Sequence, residues 1–438
     1  MAETLLSVGL DVGTTTTQMI VSRLTVENKA SFFAVPEMEI AGREILYRGK
    51  VHFTPLSGEK LVDKEGIRAL VQQEYQNAGI TRDMVDTGAV IITGETSRKE
   101  NARTVLEALS EYAGEFVVAT AGPELESVLA ARGAGAVTYS EKTGKTVLHM
   151  DIGGGTSNLC LIKEGKIIAT GCLNIGGRLL KRDKMGEITY RSPVLSFMGP
   201  LSTEEEIRHL AEQMAEALEM AAGLRPAEEL LSRFATEEVT TPWRIPKEPV
   251  VSSFSGGVAD CIETDHPPLA FGDIGPTLGK AIRESRLCRG EYILGKETIR
   301  ATVIGAGCYS TMLSGSTVFY RNVQFPLKNL PVAEFAPGVT YEETAVLSIP
   351  GEERFSYNRV RQLAEKIAQQ VKGPIYVALQ ADAAKALGQC LYLLLPPERP
   401  ICCIDRVKLS QDSFLDIGAP VGPALPVVVK TLVLSQSH

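Results

Sequence analysis

Two runs decide the fold: SVGLDVGTTTTQMIVSRL at residues 7–24 and LHMDIGGGTSNLCLI at residues 148–162. Each is a short apolar strand ending on an aspartate, then a Gly/Thr turn, then a second apolar strand. Aligning Asp11 with Asp151 pairs Gly13 with Gly153, Thr16 with Thr156, Thr17 with Ser157 and Gln18 with Asn158. The two units lie 140 residues apart, which is too long for a solenoid repeat and predicts two similar α/β halves facing each other.

Such turns carry the groups that a nucleotide triphosphate requires. Its phosphates need backbone N–H groups in a concave turn, where a Cβ would block close approach. They also need hydroxyl donors, and carboxylates set back far enough for Mg²⁺ and its waters to sit between. Gly13, Thr14, Thr15 and Thr16 meet the first two needs in one hairpin; Gly153, Gly154, Gly155 and Thr156 meet them in the other. Asp11 and Asp151 are the carboxylates, expected to hold Mg²⁺ through water. The FSGGVAD stretch adds Gly256 and Gly257, where bare backbone suits an adenine or ribose face. The run TYSEKTGKT contains the Gly-Lys-Thr tail of a P-loop, but Tyr139 stands where the first glycine is needed and no strand precedes it. A turn between helix and strand is the expectation there.

Between the hairpins, helices are expected at residues 65–77, 97–109 and 123–132, and strands at 88–93 and 116–120. This alternation implies a mainly parallel or mixed sheet covered on both faces. The clearest helix runs over residues 203–222, with Ile207, Leu210, Met214 and Leu218 on one face, Thr203 and Glu206 spaced as a capping box and Gly223 as the stop. Residues 250–254 and 301–304 are expected as strands, 240–249 as a loop and 326–351 as a proline-spaced linker. The remainder, through residues 375–379, 383–395 and 427–434, is expected as a small α/β unit. The division follows as 1–145, 146–318 and 319–438.

The chain has 438 residues and a formal net charge of -8, and no Lys/Arg cluster offers a footprint for nucleic acid. Eight cysteines without a C-x-x-C pair, and only five histidines, argue against a zinc site and suit a reducing compartment. With no leader-like h-region and no run of 18 uninterrupted apolar residues, a cytoplasmic location is expected, with a bacterial microcompartment as an associated site, and no membrane contact.

The order DVGTTTT, DIGGGTSN, SGGVAD, IGAG resembles the actin–Hsp70–sugar kinase superfamily over about residues 5–318. That resemblance implies a duplicated actin-like (ribonuclease H-like) ATPase fold with an additional C-terminal α/β unit. These segments become phosphate loop one, phosphate loop two, the adenosine loop and the second connecting helix, and GPELESVLAARG becomes the first connecting helix. The superfamily keeps a residue there that orients the attacking water. Glu124 is the best match, then Glu126, with Glu95 in ITGETS a further candidate. Asp11 and Asp151 complete the implied catalytic set, with ATP and Mg²⁺ as cofactors.

Within the superfamily the whole chain resembles the ethanolamine ammonia-lyase reactivating factors. This implies a chaperone-like ATPase acting on an adenosylcobalamin-dependent lyase, exchanging damaged cobalamin for intact cofactor. The D-x-H-x-x-G pattern of base-off cobalamin proteins is absent, which fits a factor that remodels its client. Two other classes stay open at this level: a small-molecule kinase of the same fold, and an actin-like filament protein. The sequence is silent on self-association.

Overall fold

The computed structural model describes residues 3–13, 16–28, 38–57, 61–93, 117–120, 123–236, 243–309, 311–314, 317–342, 344–351, 355–407, 409 and 413–431. The helix expected at 97–109 lies outside the described residues, as do Glu95, Thr14 and Thr15.

The echo between the two hairpins extends to whole sheets. In the first, the order is Met38–Arg48, Thr16–Asn28, Glu3–Val12, Thr87–Ile92, Val117–Thr120. In the second it is Lys166–Leu173, Ser157–Lys163, Val147–Ile152, Val251–Ser255, Tyr292–Leu294. Both sheets pair their first three strands antiparallel and add the last two in parallel. This is the duplicated actin-like arrangement.

Pleat alternation sorts each sheet into two faces. Val8, Leu10 and Val12 pack against Ile67, Val71 and Tyr75 of the Lys64–Ala78 helix. Leu148, Met150 and Ile152 share a larger core with Ile207, Leu210 and Met214 of the Glu204–Ala221 helix. That helix carries the expected capping box: Thr203 Oγ1 accepts from the Glu206 N–H at 3.2 Å, and Glu206 Oε2 accepts from the Thr203 N–H at 2.8 Å.

The opposite faces meet at two central helices, Pro123–Gly133 and Ala301–Tyr309. Each ends one half and packs beneath the other. Ala131 joins Val147, Cys160 and Ile162 of the second sheet, while Val303, Ile304 and Cys308 enclose Ile20 of the first. Small residues make the crossing possible. A Cβ on Gly305 would overlap the Leu129 carbonyl, one on Gly133 would overlap that of Ala301, and one on Gly9 would lie 2.6 Å from Val303 O.

Two expectations are corrected here. Residues 301–304, read as a strand, begin the second central helix, in which Ala301 through Cys308 are all buried. A wholly buried apolar run has no periodicity to separate strand from helix. Residues 326–351, read as a linker, contribute the strands Leu327–Glu334 and Val346–Ile349. Pro331 lies within the first of these strands, opposite Phe414 and just past an irregularity between Leu327 and Leu330. The P-loop-like tail is a turn, as expected: the Ala136–Thr143 helix closes at Gly144, with φ of 69°, before the strand at Val147.

The C-terminal region forms a third, eight-stranded sheet that begins with Met312–Leu313 and carries the Tyr357–Gln370 and Ala384–Leu394 helices. It docks on the first half. Val428 packs with Ala89, Ile91, Leu129 and Ala306, and Val421 with Leu5, Leu24 and Val26. Among the described residues no helix is long and apolar enough to cross a membrane.

The central crossing is therefore the tightest constraint on the fold. Gly305→Val places a branched side chain against backbone that cannot rotate away, and is expected to cost about 1–3 kcal/mol or more of stability. Urea denaturation of the variant beside the parent chain checks this; an unchanged midpoint would contradict the close crossing.

Candidate functional site

The two hairpin turns face each other across the central helices, and each is closed in the same way. The Gly13 N–H donates to Thr16 O at 2.9 Å, and the Gly153 N–H donates to Thr156 O at 2.9 Å. The first loop is braced from outside by Thr54, whose Oγ1 donates to Gly13 O at 2.8 Å and lies 3.1 Å from Thr17 Oγ1. The second is braced by a chain segment that sequence reading missed. The Gly177 N–H donates to Gly153 O at 3.1 Å and the Arg178 N–H to Gly154 O at 2.6 Å, and the Arg178 guanidinium pairs with Asp273 at 3.2 Å. The adjacent Gly176 and Gly177 are the signal that could have found it.

Of the loop glycines at 154, 155, 256 and 257, packing within the chain demands glycine at Gly256, while the others leave space open or face only a flexible side chain. Gly155 has open space where a Cβ would be, and Gly154 faces only the Arg178 side chain, with Cδ at 3.2 Å. Gly256 takes φ of 86°, where a Cβ would collide with Ile152 backbone, and its N–H donates to Thr298 O at 2.9 Å. Gly257 is exposed with nothing near its Cβ direction. The SGGVAD turn thus rests directly on the entry to the second loop, with Gly257 turned outward.

Asp11 and Asp151 end equivalent strands and each receives a hydroxyl from the neighbouring parallel strand or its end. Thr93 Oγ1 donates to Asp11 Oδ1 at 2.9 Å. Ser255 Oγ donates to Asp151 Oδ1, and Thr302 Oγ1 approaches Asp151 Oδ2 at 3.4 Å. Burial pushes the Asp11 carboxyl up to about 7, with Thr93 opposing and the Asp151 charge adding to the rise. Burial likewise pushes Asp151 up to about 6, opposed by Ser255 and Thr302.

A third carboxylate joins them. Glu126, on the first central helix, is held well above the usual carboxylate range by burial, then by the charges of Asp151 and Asp11, with a hydrogen bond from Asn158 opposing. Glu124 is exposed in the first turn of the same helix. The strongest charges acting on Asp11 and Glu126 are carboxylates, a condition that a divalent cation relieves.

The residues present fit a polyphosphate with a hydrated divalent cation. Gln18 and Asn158, opposite Asp11 and Asp151 in their hairpins, each keep a buried side-chain carbonyl oxygen without a partner. Gln18 Nε2 is anchored on Ile299 O at 3.1 Å. Such oxygens suit the waters of a cation's shell. Among the described residues no three acidic, histidine or cysteine side chains converge closely enough to grip a metal ion directly.

Comparison with known proteins gives the family. The model of the family described as "Ethanolamine utilisation protein EutA" matches residues 3–340 and 338–435. The chain is 38% identical to the ethanolamine ammonia-lyase reactivase EutA of Salmonella typhimurium, covering 98% of each. It is 36% identical to the ethanolamine ammonia-lyase reactivase EutA of Escherichia coli K12, again covering 98% of each. Among solved structures, the Aquifex aeolicus member of the Ppx/GppA family aligns with 14% identity and a TM-score of 0.43, covering 69% of this chain and 97% of that one. Matched from end to end by the family model and by both reactivases, the chain belongs to the EutA family of ethanolamine utilisation proteins.

Proposed function

We propose that the chain is an ATP- and magnesium-dependent reactivating chaperone of ethanolamine ammonia-lyase. The observation that carries this reading is the convergence of Asp11, Asp151 and Glu126 between two glycine loops, in a chain that matches reactivases over 98% of its length. Gly13, Thr14, Thr15 and Thr16 cradle phosphate in the first loop, and Gly153, Gly154, Gly155 and Thr156 do so in the second. Gly256 and Gly257 face the adenosine. A bound magnesium nucleotide supplies a phosphoanhydride bond and the positive charge that lets all three carboxylates ionise together.

Of the two acidic residues on the first central helix, Glu126 is assigned the water-orienting role. It lies within electrostatic reach of both hairpin carboxylates, whose charges, after burial, hold its carboxyl well above the usual range. Glu124 is exposed and serves the helix N-terminus, where the dipole favours a negative charge. The halves spanning residues 1–145 and 146–318 close over the nucleotide and reopen after hydrolysis, while the 319–438 unit rides on the first half. This cycle loosens the lyase so that damaged cobalamin leaves and adenosylcobalamin enters, in the cytoplasm and at bacterial microcompartments.

Glu126→Gln is expected to bind ATP with unchanged affinity while turnover falls by roughly 10²–10⁴-fold, the scale of a lost general base. Glu124→Gln is expected to hydrolyse ATP at the parent rate. Phosphate release beside calorimetric binding checks both, and the reverse pattern would return the role to Glu124.

The function is tested by mixing the purified protein with ethanolamine ammonia-lyase inactivated by cyanocobalamin, then adding adenosylcobalamin, ATP and Mg²⁺. Deamination of ethanolamine should return only with all components, and Asp11→Ala should leave the lyase inactive. A lyase that stays inactive while the protein phosphorylates ethanolamine or a sugar would replace this reading with that of a kinase.

A further inference from the structure

One histidine is buried where the fold gives no reason for a polar side chain. His149 sits in the centre of the Val147–Ile152 strand, fully buried, on the face that looks toward the first central helix. Its Nδ1 lies 3.0 Å from Ser253 Oγ and its Nε2 lies 3.0 Å from Ser255 Oγ. Ser255 in turn donates to Asp151. The parallel register makes this geometry obligatory: His149 is paired with Ser253 and Asp151 with Ser255, so all four side chains share one face of two adjacent strands.

The polarity of the chain follows from proton counting. Ser255 has one hydroxyl proton and spends it on the Asp151 carboxylate, so its oxygen must accept from His149 Nε2–H. A neutral imidazole with a proton on Nε2 has an acceptor at Nδ1, which Ser253 fills. Both ring nitrogens face serine hydroxyls in a fully buried site, with no carboxylate in direct contact with the ring, which favours the neutral form. Every donor in the series Ser253, His149, Ser255 points toward Asp151, and aligned bonds of this kind strengthen one another in a low-dielectric interior.

The first half has no counterpart. Aligning the two aspartates places Gly9 opposite His149, and Gly9 is consumed by the close approach of Val303 and Gly307. Asp11 is held by Thr93 alone among the described side chains. The two carboxylates thus occupy equivalent positions with unequal support. This series of hydrogen bonds ends on a carboxylate of the site.

We infer that His149 is a positioning residue that, through Ser255, locks the Asp151 carboxylate in the orientation that receives a hydrated cation. The inference rests on the nucleotide reading of the site and adds to it a second tier on one side only.

Two measurements test it. In ¹⁵N-histidine-labelled protein without nucleotide, two-bond proton–nitrogen correlation should show His149 as the neutral Nε2–H tautomer, its signal assigned by loss in His149→Gln. An Nδ1–H tautomer or a charged ring would overturn the relay. In calorimetry, His149→Leu should lower the magnesium-dependent gain in ATP affinity by roughly 10–100-fold, the scale for partners behind a metal ligand. ATP affinity in EDTA should not move, and His149→Gln, whose amide keeps a donor near the Nε2 position, should recover most of the gain. Equal loss with and without magnesium, or no loss, would make His149 a core residue and end the inference. If the parent chain shows no magnesium-dependent binding, the nucleotide reading itself fails, and the tautomer still decides the relay.

Discussion

Like charge confined at one point is the constraint around which this molecule is built. Asp11, Asp151 and Glu126 come from three different elements; the Asp151 charge raises the proton affinity of Asp11, and both aspartates raise that of Glu126. Burial alone would favour their neutral forms, and proximity adds to it. The surrounding structure supplies donors that oppose both effects: Thr93 for Asp11, Ser255 and Thr302 for Asp151, Asn158 for Glu126. The result is a cluster held between neutral and ionised, which an incoming cation can tip.

Bringing those three together requires the two halves to exchange their last helices. Pro123–Gly133 leaves the first sheet to lie under the second, and Ala301–Tyr309 does the reverse. Gly133 and Gly305 let the helix backbones touch at the crossing. Glu126 reaches the carboxylates because its helix is set by this crossing. The C-terminal sheet touches the same region through Val428, packed with Leu129 and Ala306 from the two central helices. A shift of one helix against the other would therefore be felt both at the carboxylates and at the third sheet. The packed core transmits such a shift because it has few voids to absorb it.

Much of this was legible in the sequence because it is written locally. Strand, aspartate and glycine turn in matching phase identified both loops, and the same echo foretold two sheets of one topology. The Thr203/Glu206 capping box and the Gly223 stop fixed the longest helix to within a residue or two. What escaped reading depends on contacts distant along the chain. Residues 301–304 read as a strand because every residue from Ala301 to Cys308 is buried, and burial on all sides erases the helical period. That Glu126 feels the charges of Asp11 and Asp151 depends on which helix face meets them. The Gly177–Arg178 brace and the His149 relay arise from pairings with Gly153, Gly154, Ser253 and Ser255 that only the folded register creates.

The central claim is that a magnesium nucleotide settles a cluster of partly protonated carboxylates, and proton release measures it directly. Asp11 at about 7 and Asp151 at about 6 are both raised above an ordinary aspartate. The stability that these protons contribute is therefore present at acid pH and is lost as pH rises through those values. A cation binds the ionised forms, so at pH 6.5 its binding must expel protons, and the number must fall as pH rises past 8. Calorimetric titration with Mg·ATP at pH 6.5, in two buffers of different ionisation enthalpy, gives that number. Release on the order of one proton or more per nucleotide, shrinking at pH 8.5, is the predicted result. Heats that are identical in both buffers after correction, at both pH values, would contradict the account.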